Sequence, residues 1–173
     1  EAMDTIMVPM AKAMVKEGHP FTGFLYGGLM LTDKGIKTIE FNARFGDPEA
    51  EVILPRLKSD FVEVIENIMN HKTVELTWDE EVTLGVVMAS EGYPASSTKG
   101  AVITGFEDVD SMIFHMGTKE IDGNLVTDGG RVLIVVSKEK TLEEAYKKAY
   151  EDVEKITCDK LFYRKDIGKK DMQ

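Results

Sequence analysis

The residues best suited to chemistry lie close together: Glu40, Asn42 and Arg44, followed by Asp47, Pro48 and Glu49. Residues 36–42 read as a strand, whose side chains alternate between its two faces. Ile36, Thr38, Glu40 and Asn42 then share one face, and Lys37, Ile39 and Phe41 the other. Glu40 and Asn42 stand one pleat apart at the strand's end, each offering oxygen. Oxygen donors suit a hard cation, such as Mg²⁺ carrying nucleotide phosphates, better than zinc or copper. Arg44 adds a fixed positive charge just beyond them. Asp47 is a good helix N-cap, Pro48 fits the first helical position, and Glu49 and Glu51 suit the first turn. A helix start beside Arg44 and a metal would attract an anion. The plainer alternative is that Asp47-Pro48-Glu49 only begins a helix and Glu40 is an exposed edge-strand carboxylate.

Other candidates carry less. His19, His71 and His115 are far apart and share no metal-ligand spacing with Cys158, which argues against zinc. Ser96-Ser97-Thr98-Lys99-Gly100 lacks the order of a phosphate loop and reads as a surface turn. Gly129-Gly130-Arg131 is open between a hairpin turn and a backbone nest with a guanidinium beside a substrate phosphate. Arg164-Lys165-Asp166 reads as an ion-paired surface cluster.

These residues need elements to hold them. Residues 9–17 read as a helix with Pro9 near its start and Gly18 as its stop. Met3, Met7, Met10 and Met14 recur at helical spacing as an apolar core face. Residues 24–31 and 36–42, joined by Thr32-Asp33-Lys34-Gly35, read as a hairpin with Gly35 at positive φ. Gly27-Gly28 in mid-strand signals a bulge or a close backbone approach. A helix from 48 to about 54 is interrupted by Pro55. Another starts at Ser59 or Asp60, buries Phe61, Val64, Ile65, Ile68 and Met69, and ends at Asn70-His71-Lys72. The polar stretch around Trp78 marks a domain junction, giving domains 1–76 and 77–173. In the second, residues 82–89, 100–104, 111–116 and 130–137 read as strands. A helix over 142–156 carries a Thr141/Glu144 capping box and a buried stripe of Leu142, Ala145, Tyr146, Ala149 and Val153. It also offers i,i+4 pairs at Glu144/Lys148 and Glu151/Lys155. The whole is α+β, its second domain built on a curved antiparallel sheet.

Composition narrows the function classes. The chain has 173 residues, 43% hydrophobic and 30% charged, the balance of a globular protein. Gly, Thr, Lys and Asp interrupt each apolar run before it reaches membrane-span length. Its 21 basic and 31 acidic side chains give a net charge of −10, spread over both halves. That surface argues against a nucleic-acid or anionic-membrane partner, so an anionic nucleotide needs a local positive site. A lone cysteine fits a reducing cytoplasm. A start at Glu1, directly before a helix-like segment, suggests a piece of a longer protein.

The run IEFNARFGDPE over residues 39–49 resembles the last motif of the ATP-grasp ligases. Five further segments, in order, are similar to one family of that group, the phosphoribosylamine–glycine ligases (glycinamide ribonucleotide synthetases). They are TGFLYGGLM at 22–30, LGVVMAS at 84–90, GYP at 92–94, GGRVL at 129–133 and RKDIG at 164–168. Asn-x-Arg alone is generic to the superfamily; the six segments together cover nearly the whole chain.

The resemblance implies the closing part of an ATP-grasp domain followed by the family's C-terminal domain. It implies ATP-dependent joining of glycine to 5-phosphoribosylamine in purine synthesis, through a glycyl phosphate. Glu40 and Asn42 would bind Mg²⁺ or Mn²⁺, and Arg44 would face the transferred phosphoryl group or the substrate carboxylate. Asp47, Glu49 and Arg131 would line the acceptor side. Two departures stand out. The strand preceding Glu40, Tyr26-Gly27-Gly28-Leu29, has no acid to add a metal ligand, and the N-terminal domain, the ATP lid and its lysine have no counterpart. The chain would then be inert without the missing N-terminal half. The competing expectations are a different ATP-grasp carboxylate–amine ligase and a non-catalytic domain pair that binds a nucleotide or a partner.

Overall fold

The computed structural model describes residues 1–172. They form two compact units, one of residues 1–47 with 57–77, the other of 48–56 with everything from 78 onward. The first unit opens with a π-type helical turn, Met3–Met7, that runs into α1 (Val8–Lys16). Pro9 sits in its first turn, where a missing N–H leaves nothing unpaired. Gly18, at φ 81, ends it, and the His19 N–H donates to the Met14 carbonyl at 2.9 Å. The methionine stripe is not a sealed core: Met3 is 61% exposed and Met7, Met10 and Met14 are half-buried. Met7 does lie against the next element, since a Cβ on Gly27 would stand 2.6 Å from its sulfur.

That element is an antiparallel hairpin of β1 (Tyr26–Thr32) and β2 (Gly35–Asn42). Gly35 takes φ 86, and the Thr32 hydroxyl, donating to the Gly35 carbonyl at 2.8 Å, braces the turn. The register slips at the double glycine. Gly28 opposes Glu40 but Leu29 opposes Thr38, which leaves Ile39 as a bulged residue. Because cross-strand partners share a face, the slip moves Ile36 and Thr38 to the face opposite Glu40 and Asn42. Simple alternation over residues 36–42 therefore fails, although the two oxygen-bearing residues stay together beyond the bulge.

The unit closes with α3 (Phe61–Met69), capped by Asp60, whose carboxylate accepts from the Val62 and Glu63 N–H groups at 2.9 and 3.0 Å. Val64 is buried, but Ile65 and Met69 are 40% and 68% exposed, so the expected stripe is only partly covered within this unit. Phe24, Phe45 and Phe61 form an aromatic cluster with centroids 4.6 to 6.2 Å apart.

The second unit begins with α2 (Glu49–Ile53) and a 3₁₀ turn, Leu54–Arg56. Its sheet contains β3 (Val82–Ser90), β4 (Met112–His115), β7 (Arg131–Glu139) and β8 (Leu161–Tyr163), in the order β4-β7-β3-β8, all antiparallel. A separate hairpin joins β5 (Thr118–Ile121) to β6 (Asn124–Thr127). Central β7 is buried from Val132 to Val136, as expected of a strand covered on both faces. On one face Leu84, Val86, Met88, Leu133 and Val135 pack with Ala145, Ala149 and Val153 of α4 (Leu142–Val153). On the other, a Cβ on Gly85 would meet Ile134 at 2.6 Å and Val52 of α2 at 2.7 Å, so glycine there admits the short helix. A second register slip, between Met88 and Ala89, bends the sheet.

The Thr141/Glu144 capping box is present. The expected pairs along α4 are replaced. Glu144 is spent on the cap, while Lys148 and Lys155 turn to the fully buried Asp152 and to Asp110. Residues 100–104 are not a strand; they make single bridges at Val102 with Val126 and at Thr104 with Thr157. Gly105, at φ 90 against the Lys155 carbonyl, ends the run.

Candidate functional site

The three chemical residues at the end of β2 follow from local sequence. The bulge at Ile39 sets Glu40 and Asn42 on one face, opposite Gly28 and Tyr26. Gly28 leaves the room: a Cβ there would stand 3.0 Å from the Glu40 Cγ. Asn42 donates its amide N–H to the Glu40 carboxylate at 2.9 Å. The two side chains thus converge, with the carboxylate exposed and the amide half-buried. Beyond them, Phe45 is anchored in the aromatic cluster and Gly46 is buried. Arg44 is left outside, exposed, its guanidinium donating to the Phe45 carbonyl at 2.6 Å.

A carboxylate and an amide oxygen at one strand end suit a hard divalent cation that draws its remaining ligands from phosphates and water. The donor set therefore fits a hard cation such as Mg²⁺ or Mn²⁺, and Glu40 and Asn42 are the residues that could hold it. No cluster of three or more acidic, histidine or cysteine side chains occurs among the described residues. The described residues offer no dedicated all-protein cage.

Asp47 is exposed and lies one residue outside the helix cap, which is Pro48 at φ −100 with no side chain to accept a bond. The expected Asp47 N-cap is corrected accordingly. α2 spans 5 residues, little more than one turn, and offers no developed dipole for an anion. Pro48 takes φ −100 and ψ 22, outside the helical region, so regular helix begins only at Glu49 and the cap falls on the proline. Glu49, in the second unit, is half-buried. It lines a cavity of about 290 Å³ with Val52, Leu84, Leu142 and Ile167.

Arg131 opens β7 and pairs across the sheet with Ala89. The glycines before it pack backbone to backbone: a Cβ on Gly117 would lie 2.8 Å from the Gly129 Cα, and one on Gly130 would lie 2.6 Å from the Tyr93 ring. Gly129-Gly130 is thus a close-packed corner that leads into a strand. Arg131 lines a cavity of about 440 Å³, which shares Ile167 with the Glu49 cavity.

One charged group was missed in the sequence. Asp152 has no exposed surface and accepts from Lys155 at 2.7 Å and from the Ser111 N–H at 2.9 Å. Burial alone would raise its pKa, but Lys155, Ser111 and Lys148 override that and hold the carboxyl far below the usual range. Its signal was its place, three residues after Ala149 and beside Val153 on the apolar stripe of α4.

Known proteins resemble this chain over nearly its whole length. The family model described as phosphoribosylglycinamide synthetase, C domain, matches residues 83–170. The model for that synthetase's ATP-grasp (A) domain matches residues 1–50. A phosphoribosylamine–glycine ligase of Halalkalibacterium halodurans is 53% identical over 98% of this chain and 40% of its own length. One from Listeria monocytogenes is 46% identical over 98% of this chain and 41% of its own. The crystal structure of the Thermotoga maritima phosphoribosylamine–glycine ligase, 40% identical, superposes with a TM-score of 0.79 over 90% of this chain and 39% of that one. The chain spans about two fifths of the length of the curated relatives it matches. It therefore belongs to the phosphoribosylglycinamide synthetase family, carrying the end of the ATP-grasp domain and the C domain.

Proposed function

We propose that the full-length protein containing this chain ligates glycine to 5-phosphoribosylamine at the expense of ATP, giving glycinamide ribonucleotide, ADP and phosphate. A glycine carboxylate oxygen attacks the γ-phosphorus and ADP leaves. The amine nitrogen then attacks the acyl carbon of glycyl phosphate, inorganic phosphate leaves, and the nitrogen loses a proton. The obstacle is contact between two anions, so positioning and charge neutralisation dominate the catalysis.

Glu40 and Asn42 would hold Mg²⁺ or Mn²⁺, which when bound neutralises the phosphate oxygens. Arg44, fixed behind the Phe45 anchor, would face the phosphoryl group or the glycine carboxylate. Asp47, Glu49 and Arg131 would shape the acceptor side. Residues 1–76 would be the closing part of the nucleotide-binding domain and 77–173 the C-terminal domain. The substrates are small molecules, no nucleic acid or membrane is involved, and the setting is the cytoplasm. Among the described residues no helix is long and apolar enough to cross a membrane.

The observation that carries this reading is the 2.9 Å contact between Asn42 and Glu40 on one strand end, with Arg44 just beyond it. The test is ADP release by the full-length protein with glycine and phosphoribosylamine supplied together or singly. Release that requires both, and that the isolated 173-residue chain cannot support, is the expected result. Equal release with another amine, or turnover by the isolated chain, would contradict it.

A further inference from the structure

Arg44 is exposed, yet its guanidinium is not left to swing. Nη1 donates to the Phe45 carbonyl at 2.6 Å. That carbonyl belongs to the peptide between Phe45 and Gly46. Gly46 is buried, and the Phe45 ring is held by two others. Phe24, just before β1, stands 4.6 Å from it by ring centroid, and Phe61 stands 6.2 Å from it. Phe24 and Phe61 meet at 5.7 Å with their planes 26° apart, which closes a triangle of rings within the first unit. Aromatic rings at such separations attract one another beyond the area they bury.

Phe61 comes from outside the motif that carries the chemistry. It is the first residue of α3, in a stretch that neither family model reaches, since one match ends at residue 50 and the other begins at 83. Its place is set locally. The Asp60 carboxylate accepts from the Val62 and Glu63 N–H groups, and the Val64 N–H donates to the Asp60 carbonyl at 3.0 Å. Val64 is buried one turn on, so the helix start presents the Phe61 ring in one position. The contact between Glu40 and Asn42 is set separately, by the bulge at Ile39 and the gap at Gly28.

We propose that Phe61 is a positioning residue for Arg44: through the Phe45 ring it holds the carbonyl that orients the guanidinium. An exposed arginine must otherwise give up rotamer freedom when it meets its anion. With Nη1 committed to the Phe45 carbonyl, the planar fork has its direction before substrate arrives. Charge stabilisation set in advance favours the transition state, and a displacement of about 1 Å can cost roughly a hundredfold in rate. What Arg44 does rests on the ligase reading above; how it is held does not.

The test uses the full-length protein. Phe61→Leu keeps apolar bulk and removes the ring. It should lower kcat for ADP release roughly tenfold, with the KM for ATP and the Mg²⁺ concentration at half-maximal rate unchanged. Phe61→Tyr should recover most of the rate, and the exposed control Glu66→Ala should behave as wild type. In an Arg44→Ala background Phe61→Leu should cost nothing further, because the two residues act as one unit. The same fold-loss in both backgrounds would show a merely structural effect and overturn the proposal. So would an unaltered kcat in a folded Phe61→Leu variant. The Arg44 Nε–H resonance reads the clamp without substrate: it should move in Phe61→Leu and stay in Glu66→Ala. If the wild-type protein makes no glycinamide ribonucleotide, the ligase reading fails and that resonance alone decides. A shift then upholds the hold of Phe61 on Arg44, and an unmoved resonance overturns it.

Discussion

At the scale of single residues, two acidic groups do opposite work. Glu40 is exposed and contributes little to stability, so it is free to serve chemistry; Asp152 has no exposed surface and serves the fold. Asp152 accepts from Lys155 and the Ser111 N–H, with Lys148 at 3.4 Å. Removing a partner from such a buried network typically costs about 3–5 kcal/mol, so Asp152→Ala should be strongly destabilised in denaturant melts. The pH dependence has a definite sign. The folded-state pKa is depressed, so the contribution is complete above the ordinary carboxylate value of 3.8 and is lost as pH falls below it. The stability gap between wild type and Asp152→Ala should therefore shrink as pH falls from neutrality to below about 3. A gap that stays constant over that range would show that the charge of Asp152 is not what stabilises the fold.

At the scale of elements, the informative cases are those where local pattern and tertiary context disagree. Hairpin β1–β2, the Asp60 cap and the Thr141/Glu144 box were legible because each is a local rule carried by a few adjacent residues. The bulge at Ile39 was only half legible. Gly27-Gly28 announced an irregularity, but which strand held the extra residue is decided by cross-strand register, which one strand's sequence does not contain. The β5–β6 hairpin was overlooked although Asp122-Gly123, at φ 49 and 75, is a familiar signal for a two-residue turn. Its strands are 4 residues each, too short to show alternation. Strand β8, at 3 residues, is defined by pairing with β3 and by nothing local. The pairing of Glu40 with Asn42 needs the Gly28 gap. Gly28→Ala should hardly alter thermal stability, because the clash is with a flexible exposed side chain. It should lower ligase turnover by displacing the Glu40 carboxylate from Asn42. Full activity in that variant, measured beside its melting temperature, would mean that the close approach at Gly28 has no functional role.

At the scale of the whole molecule, the chain has a well-packed second unit and a first unit that leaves large apolar side chains exposed. Met30, Leu31 and Ile39 of the hairpin are 52%, 81% and 64% exposed. A two-stranded sheet is marginal alone. The relatives are more than twice as long as this chain, which agrees with a first unit that is part of a larger domain. Family membership was legible because six segments recur in order along the chain, whereas the individual site roles depend on substrates that no sequence pattern displays. The central claim is that Glu40 and Asn42 bring a divalent cation to the nucleotide. It is tested most directly by the Mg²⁺ dependence of glycine- and phosphoribosylamine-driven ADP release in the full-length protein, with and without Glu40→Ala. The predicted result is a fall in kcat on the order of a hundredfold or more, with the melting temperature hardly changed. Wild-type turnover in the variant at the same Mg²⁺ concentration would contradict it.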